Sequence, residues 1–292
     1  MKHLVLAVLA VCMFSSVSMA ADRGASPPAA EQKVVRAAVI GGMTMTGLWP
    51  EIARMFEDET GYKVEVVVTG PRPVLSKAMM AGRVDLLTMH SGDITTNLVA
   101  DGYGVNMRPW ARNDLVIVGP TSDPAGIANM TDGAQALKRI AETKSPFLDR
   151  EGNGAREMAH GLWKRAGVKP EGDWVLKDES ASHLDILRHA AEQGAYMIVG
   201  RMPVISGKLQ TPGGISILVD KDPTMRRPYV VMEANPRMFP AANVKGARAL
   251  ADFLCSEQVQ KFLVTYGTER YGSFEGAPLF YPVATCSWET QQ

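Results

Sequence analysis

The chain has 292 residues, 46% of them hydrophobic, with 31 basic and 31 acidic side chains and a formal net charge of +0. That is enough apolar material for a sizeable core in one large domain or two modest lobes. With no block of like charge, the composition argues against tight non-specific binding to nucleic acid or to a membrane surface.

The first elements in chain order are not part of the fold. Lys2 and His3 lead into an apolar run, 4–14, followed by "SSVSMA", and Ser18 and Ala20 fit a cleavage site of the A-x-A type. Residues 1–20 therefore read as a signal peptide cut after Ala20, which directs the chain to a bacterial periplasm. The run is too short to span a bilayer. Acylation of Cys12 is an alternative, but Val11 precedes it where a small residue is needed. Residues 21–32, rich in Pro, Ala and Ser, form a flexible leader.

"KVVRAAVI" (33–40) is a strand, and "GGMTMTG" (41–47) is a glycine/threonine turn. Leu48, Ile52, Met55 and Phe56 recur at helical spacing, with Gly61 as the stop. A strand at 62–68, the turn "TGPRP", a short helix ending at Gly82 and a strand at 84–90 complete a β-α-β-α-β series, which predicts a parallel sheet covered by helices. The run "DLVIVGP" (114–120) reads as a buried strand. Thr131 then caps a helix to about Thr143, "PFLD" is a strand, and Asn153 or Gly154 opens a helix to Ala166 stopped by Gly167. "DWVL", "SHLDILRHAAEQ" and "AYMIVG" continue as strand, helix and strand. After "ISILVD", the extended run "RRPYVVMEANP" returns the chain to the first half, and helices follow at 244–255 and 257–266. The expected layout is an α/β chain with two sheets of parallel type. One lobe comprises 33–118 and 228–292, the other 119–227, and two extended crossings hinge them.

Ligands of such sheets sit beyond the carboxyl ends of the strands. The turn "DREGNG" admits two opposite readings. Asp149, Glu151, Asn153 and Gly154 occupy the first, third, fifth and sixth places of a calcium loop, but the twelfth place, which must carry a bidentate carboxylate, is His160. The other reading is an anion site. Gly152 and Gly154 allow close approach to a helix N-terminus, while the Arg150 guanidinium can fork two oxygens; Arg156 lies in the first helical turn. Pairing of Arg150 and Arg156 with neighbouring carboxylates is the bland alternative. On the first lobe, Gly41 and Gly42 offer amides and Thr44 and Thr46 hydroxyls, unless Thr46 is only a helix cap. Arg72 and His90 stand at the next two strand ends.

Catalytic patterns are missing: no H-E-x-x-H, G-x-S-x-G, C-x-x-C or P-loop lysine occurs, and His183 and His189 do not share a helix face. A binding protein without cofactor or metal is expected, rather than an enzyme. Beyond the leader, Cys255 and Cys286 point to a disulfide more than to a metal pair, with two separate thiols as the alternative.

The segments "DGYGVNMRP", "NDLVIVGPTSDPAGI", "LWKRAGVKPEGDW", "GAYMIVGR" and "APLFYP" together give a resemblance over about 39–284. The chain resembles the tungstate-binding periplasmic component of ABC importers, within the type II periplasmic binding proteins. The resemblance implies two hinged α/β lobes that bury a small anion, and delivery to a membrane permease driven by an ATPase. A monomer is expected. It also matches Arg150 and Arg201 to arginines of the family. Gly41, Gly42 and Met43 replace part of a threonine/serine run, and Gly154-Ala155-Arg156-Glu157 replaces Ser-Gly-Thr-His. These changes imply a reshaped pocket. A tungstate- or molybdate-like oxyanion is the first expectation, with an organic carboxylate or phosphonate, or a sensor that docks without transport, as alternatives.

Overall fold

The computed structural model describes residues 33–150, 154–178, 183–209, 211–268 and 278–284. The signal peptide and leader (1–32), with Cys12, lie outside the described residues, as do Gly152 and Cys286.

β1 (Val34–Ile40) is a β-branched run whose side chains are buried from Ala37 onward, and it pairs in parallel with β2 (Lys63–Gly70) and β3 (Leu86–His90). Between β1 and β2 come the short α1 (Gly41–Met45) and then α2 (Leu48–Thr60). α2 buries Leu48, Trp49, Ile52 and Phe56 on one face and stops at Gly61, whose φ of 71° suits glycine. α3 (Arg72–Met80) precedes β3, and α4 (Asp93–Ala100) follows it. The short α1 and α4 were not expected: α1 is a single turn at glycine-rich sequence, and "DITTNLVA" is rich in β-branched residues.

β4 (Gly104–Pro120) is the long spine of the molecule. Residues 104–114 pair antiparallel with β9 (Arg226–Ala234), which also pairs with β3. Residues 115–120 pair antiparallel with β7 (Met197–Gly200) and β8 (Ile215–Val219). The result is one seven-stranded mixed sheet, order β2-β1-β3-β9-β4-β7 with β8 on β4, rather than two parallel sheets. The parallel character is confined to β1–β3 and to the small pair β5 (Phe147–Asp149) and β6 (Val175–Lys177).

The remaining helices cover the sheets. α5 (Gly133–Glu142), α6 (Gly154–Ala166), α7 (Ile186–Glu192) and α8 (Arg201–Ile205) belong to the second half, and α9 (Val244–Leu254) and α10 (Glu257–Thr265) return to the first. The cap of α5 is Asp132 rather than Thr131: its carboxylate accepts from the Ala134 and Gln135 amides at 2.8 and 3.1 Å.

One core gathers Trp49, Phe56, Leu87, Trp110 and Leu254. The period-two alternation of a strand divides the second. Leu115 and Ile117 pack with Phe147, Trp163 and Tyr196 on one face of β4, while Val116 and Val118 pack with Ile186, Leu187 and Met197 on the other. Side chains of 115–118 thus pack with the second half of the chain. Cys255 is disulfide-bonded.

Candidate functional site

A cavity of about 720 Å³ opens where the two sets of strands end. Ile40, Gly70 and His90, the last residues of β1, β2 and β3, line it, as do Arg150 just beyond β5 and Gly200 at the end of β7. Asn113 and Leu115 of β4 and Arg227 and Tyr229 of β9 make its floor. α3, α4 and α6 all begin at lining residues, which brings the positive ends of three helix dipoles to its wall.

Five of the expected site residues meet here. Gly41 and Gly42 open α1 at the cavity wall, and a methyl on Gly42 would stand 3.3 Å from the Met202 Cε of the facing half. Arg72 lies 3.2 Å from Glu157 Oε1 across the cleft. Arg150 is 8% exposed; burial pulls its guanidinium pKa down, and the charge of Asp178 opposes that fall. Gly154 lines the cavity beneath Arg227, and a Cβ there would overlap Nη1 of that arginine.

Four others do not line it. The Thr44 hydroxyl donates to the Gly41 carbonyl at 3.1 Å and lies 2.9 Å from the Thr69 hydroxyl. Thr46 is buried, its hydroxyl bonded to the Gly42 carbonyl at 2.9 Å while its own carbonyl accepts from the Tyr266 hydroxyl at 2.7 Å. It closes α1; the residue preceding α2 is Gly47. Arg156 turns to Asp149 at 3.5 Å. Arg201, 2% exposed, pairs with Asp114 at 3.5 Å and donates to the Pro278 carbonyl. For Thr46 and Arg156 these are the alternatives the sequence had offered, a helix cap and a neighbouring carboxylate, whereas the Arg201 partners are remote in the chain.

The floor brings Arg227 and Tyr229, which the sequence reading had left as plain strand, beside His90, which it had placed at a strand end. The His90 ring stacks on Tyr229 with centroids 4.1 Å apart, and its Nε2 lies 3.2 Å from Asn113 Oδ1 and 3.3 Å from Arg227 Nη2. Burial first, and then the Arg227 charge, hold the His90 pKa well below its ordinary value, so the ring is neutral. Burial also raises the Tyr229 phenol pKa, which keeps it a donor. The Tyr229 hydroxyl and Arg227 Nε are buried atoms with no hydrogen-bond partner among the described residues. The usable signal was the basic pair before Pro228 on a crossing strand, where a two-lobed fold puts its floor.

Four cations (Arg72, Arg150, Lys208 and Arg227) thus face the cavity against two carboxylates, Asp93 and Glu157. With the helix N-termini, the arrangement favours a negatively charged ligand. Among the described residues no group of three or more His, Cys, Asp or Glu could hold a metal ion. Nor is any described helix long and apolar enough to cross a membrane.

Comparison with known proteins agrees with this geometry. The family profile of bacterial extracellular solute-binding proteins matches residues 37–269. The chain is 31% identical to the tungstate-binding protein TupA of Peptoclostridium acidaminophilum, over 97% of this chain and 99% of that one. Among solved structures, the tungstate-binding protein TupA from Desulfovibrio alaskensis G20 superposes with a TM-score of 0.73 at 26% identity, covering 86% of this chain and 99% of that one. The tungstate ABC transporter structure from Geobacter sulfurreducens superposes with a TM-score of 0.66 at 29% identity, covering 81% of this chain and 100% of the other.

Proposed function

This chain belongs to the bacterial extracellular solute-binding protein family, and on that premise we propose that it captures a small oxyanion between its two lobes and delivers it to an ABC importer. The convergence of Arg72, Arg150 and Arg227 with the N-termini of α3, α4 and α6 on one cavity carries this reading. A guanidinium forks two oxygens of an oxyanion, and the helix amides take others. Gly41, Gly42 and Gly154 give the ligand access to backbone amides, and Arg227 and Tyr229 complete the set from the floor.

The protein works in the periplasm as a monomer, after cleavage behind Ala20. Its role is binding rather than catalysis. A membrane permease powered by an ATPase receives the ligand. Closing on the anion adds ligand contacts from both halves at once, so the ligand itself selects the closed state.

Tungstate, which the relatives' names specify, is the first ligand to test, with molybdate, sulfate and small organic acids beside it. A ligand that binds only the folded state raises the melting temperature. At least one of these anions is expected to do so, and Arg150→Ala to abolish the shift. Unchanged affinity in Arg150→Ala would remove that residue from the site, and no shift with any anion would refute the reading.

A further inference from the structure

The size and walls of the cavity narrow the kind of anion it takes, given the anion-capturing role above. Its volume is about 720 Å³. A tetrahedral oxyanion that displaces about three waters needs only roughly 90 Å³, whereas pockets for organic ligands run to about 300–1,000 Å³. In this conformation the two halves meet through the Arg72–Glu157 pair at 3.2 Å.

The walls are chemically uneven as well. Met45, 39% exposed, and Ile94 present side chains without a donor, and the nearly buried Ile40, Leu115, Met202 and Leu209 complete an apolar lining drawn from both halves. An inorganic oxyanion gains nothing from such a surface, and its remaining oxygens would lose water against it. The unused donors collect at one end instead. The Tyr229 hydroxyl, in a side chain 0% exposed, and Arg227 Nε are buried without partners among the described residues, with neutral His90 stacked against them. Buried donors of this kind are normally satisfied, and a ligand group at the floor would satisfy both.

We propose that the cleft takes an organic acid. Its oxyanionic head, a carboxylate or a phosphonate, seats on Arg227 and Tyr229, and its apolar body lies against the wall at Met45 and Ile94.

Calorimetric titration of the purified protein tests this with matched probes at one ionic strength: tungstate, acetate, benzoate, methylphosphonate and phenylphosphonate. The phenyl-bearing acids are expected to bind about tenfold or more tighter than the methyl-bearing ones, because the body buries apolar surface. They should also outbind tungstate. The carboxylate and phosphonate arms identify the head. Tyr229→Phe should weaken the phenyl acids about threefold to tenfold while leaving the melting temperature intact. Met45→Gln, at a half-exposed wall position, should weaken benzoate but not acetate. Tight tungstate binding with no response to the organic acids would overturn the organic-acid assignment and leave anion capture standing. Equal affinity for acetate and benzoate would overturn it too. Silence from every probe would refute both readings.

Discussion

Gly154 and Arg227 work as a pair in which a missing side chain matters as much as a charge. The guanidinium occupies the space that a Cβ on Gly154 would need. Gly154→Ala is therefore expected to displace Arg227 and weaken anion binding by about tenfold, the loss of roughly one charge-assisted hydrogen bond. Calorimetry would detect this; full affinity in the alanine variant would show that the position of Arg227 is not needed. His90 gives a second test. Its pKa is depressed in the folded state by burial and by Arg227, so between that value and the ordinary value of about 6.5 the unfolded chain holds the extra proton. Stability then rises with pH across that window, by up to about 1.4 kcal/mol per pH unit, and is lost as pH falls below about 6.5. The charges of Arg227 and, less, Arg72 both act on this ring to lower its pKa. Denaturant melts of wild type and His90→Gln from pH 7 to 5 should show a flatter acid limb in the variant; parallel curves would contradict the assignment. At this scale, the residues legible in the sequence were those at strand-to-helix turns: Gly41, Gly42, Arg72, Arg150 and Gly154. Arg201 stands off the cavity lining, held by Asp114 and the Pro278 carbonyl, which are remote in the chain.

The elements were most readable where a local stop signal or an unbroken apolar pattern defined them. α2 ends at Gly61 and α6 at Gly167, both with positive φ, as their positions predicted. The start of α5 was misjudged by one residue, and the difference can be measured. Asp132→Ala removes two accepted amide bonds and is expected to cost about 1 kcal/mol. For a chain of this length that lowers the melting temperature by about 2–4 °C. Thr131→Ala should leave it unchanged, and equal losses in the two variants would contradict the cap. The first half of β4 was illegible for a physical reason. Arg108, Pro109 and Asn113 interrupt the apolar pattern, the register shifts twice along the ladder with β9, and Asn106 has φ of 55°. The polar side chains are nonetheless accommodated: Arg108 pairs with Asp252, and Asn113 meets His90 at 3.2 Å. Such partners are set by the tertiary fold, so no window along the chain could reveal them.

In the whole molecule, β4 and β9 carry the chain between the two cores and also form the floor of the cavity. Ligand contacts and lobe movement therefore meet at the same strands. Asp114 sits at this crossing with Arg226 at 3.3 Å, Arg201 at 3.5 Å and the Tyr281 hydroxyl at 2.6 Å. Burial raises the Asp114 pKa, while the phenol and the two guanidiniums oppose that shift. The two-lobed plan was legible from the alternation of strands and helices. The mixed sheet was not, because strand direction depends on long crossings that leave no local mark. Cys255 is bonded, and non-reducing peptide mapping is expected to recover it joined to Cys286; a free Cys286 would contradict that pairing. The most direct test of the account is a crystal structure of the protein with its bound anion. The account predicts one ligand touching both halves, with its oxygens within hydrogen-bonding distance of Arg150, Arg227 and the Tyr229 hydroxyl. An anion held by one half alone, with the Tyr229 hydroxyl still lacking a partner, would contradict it.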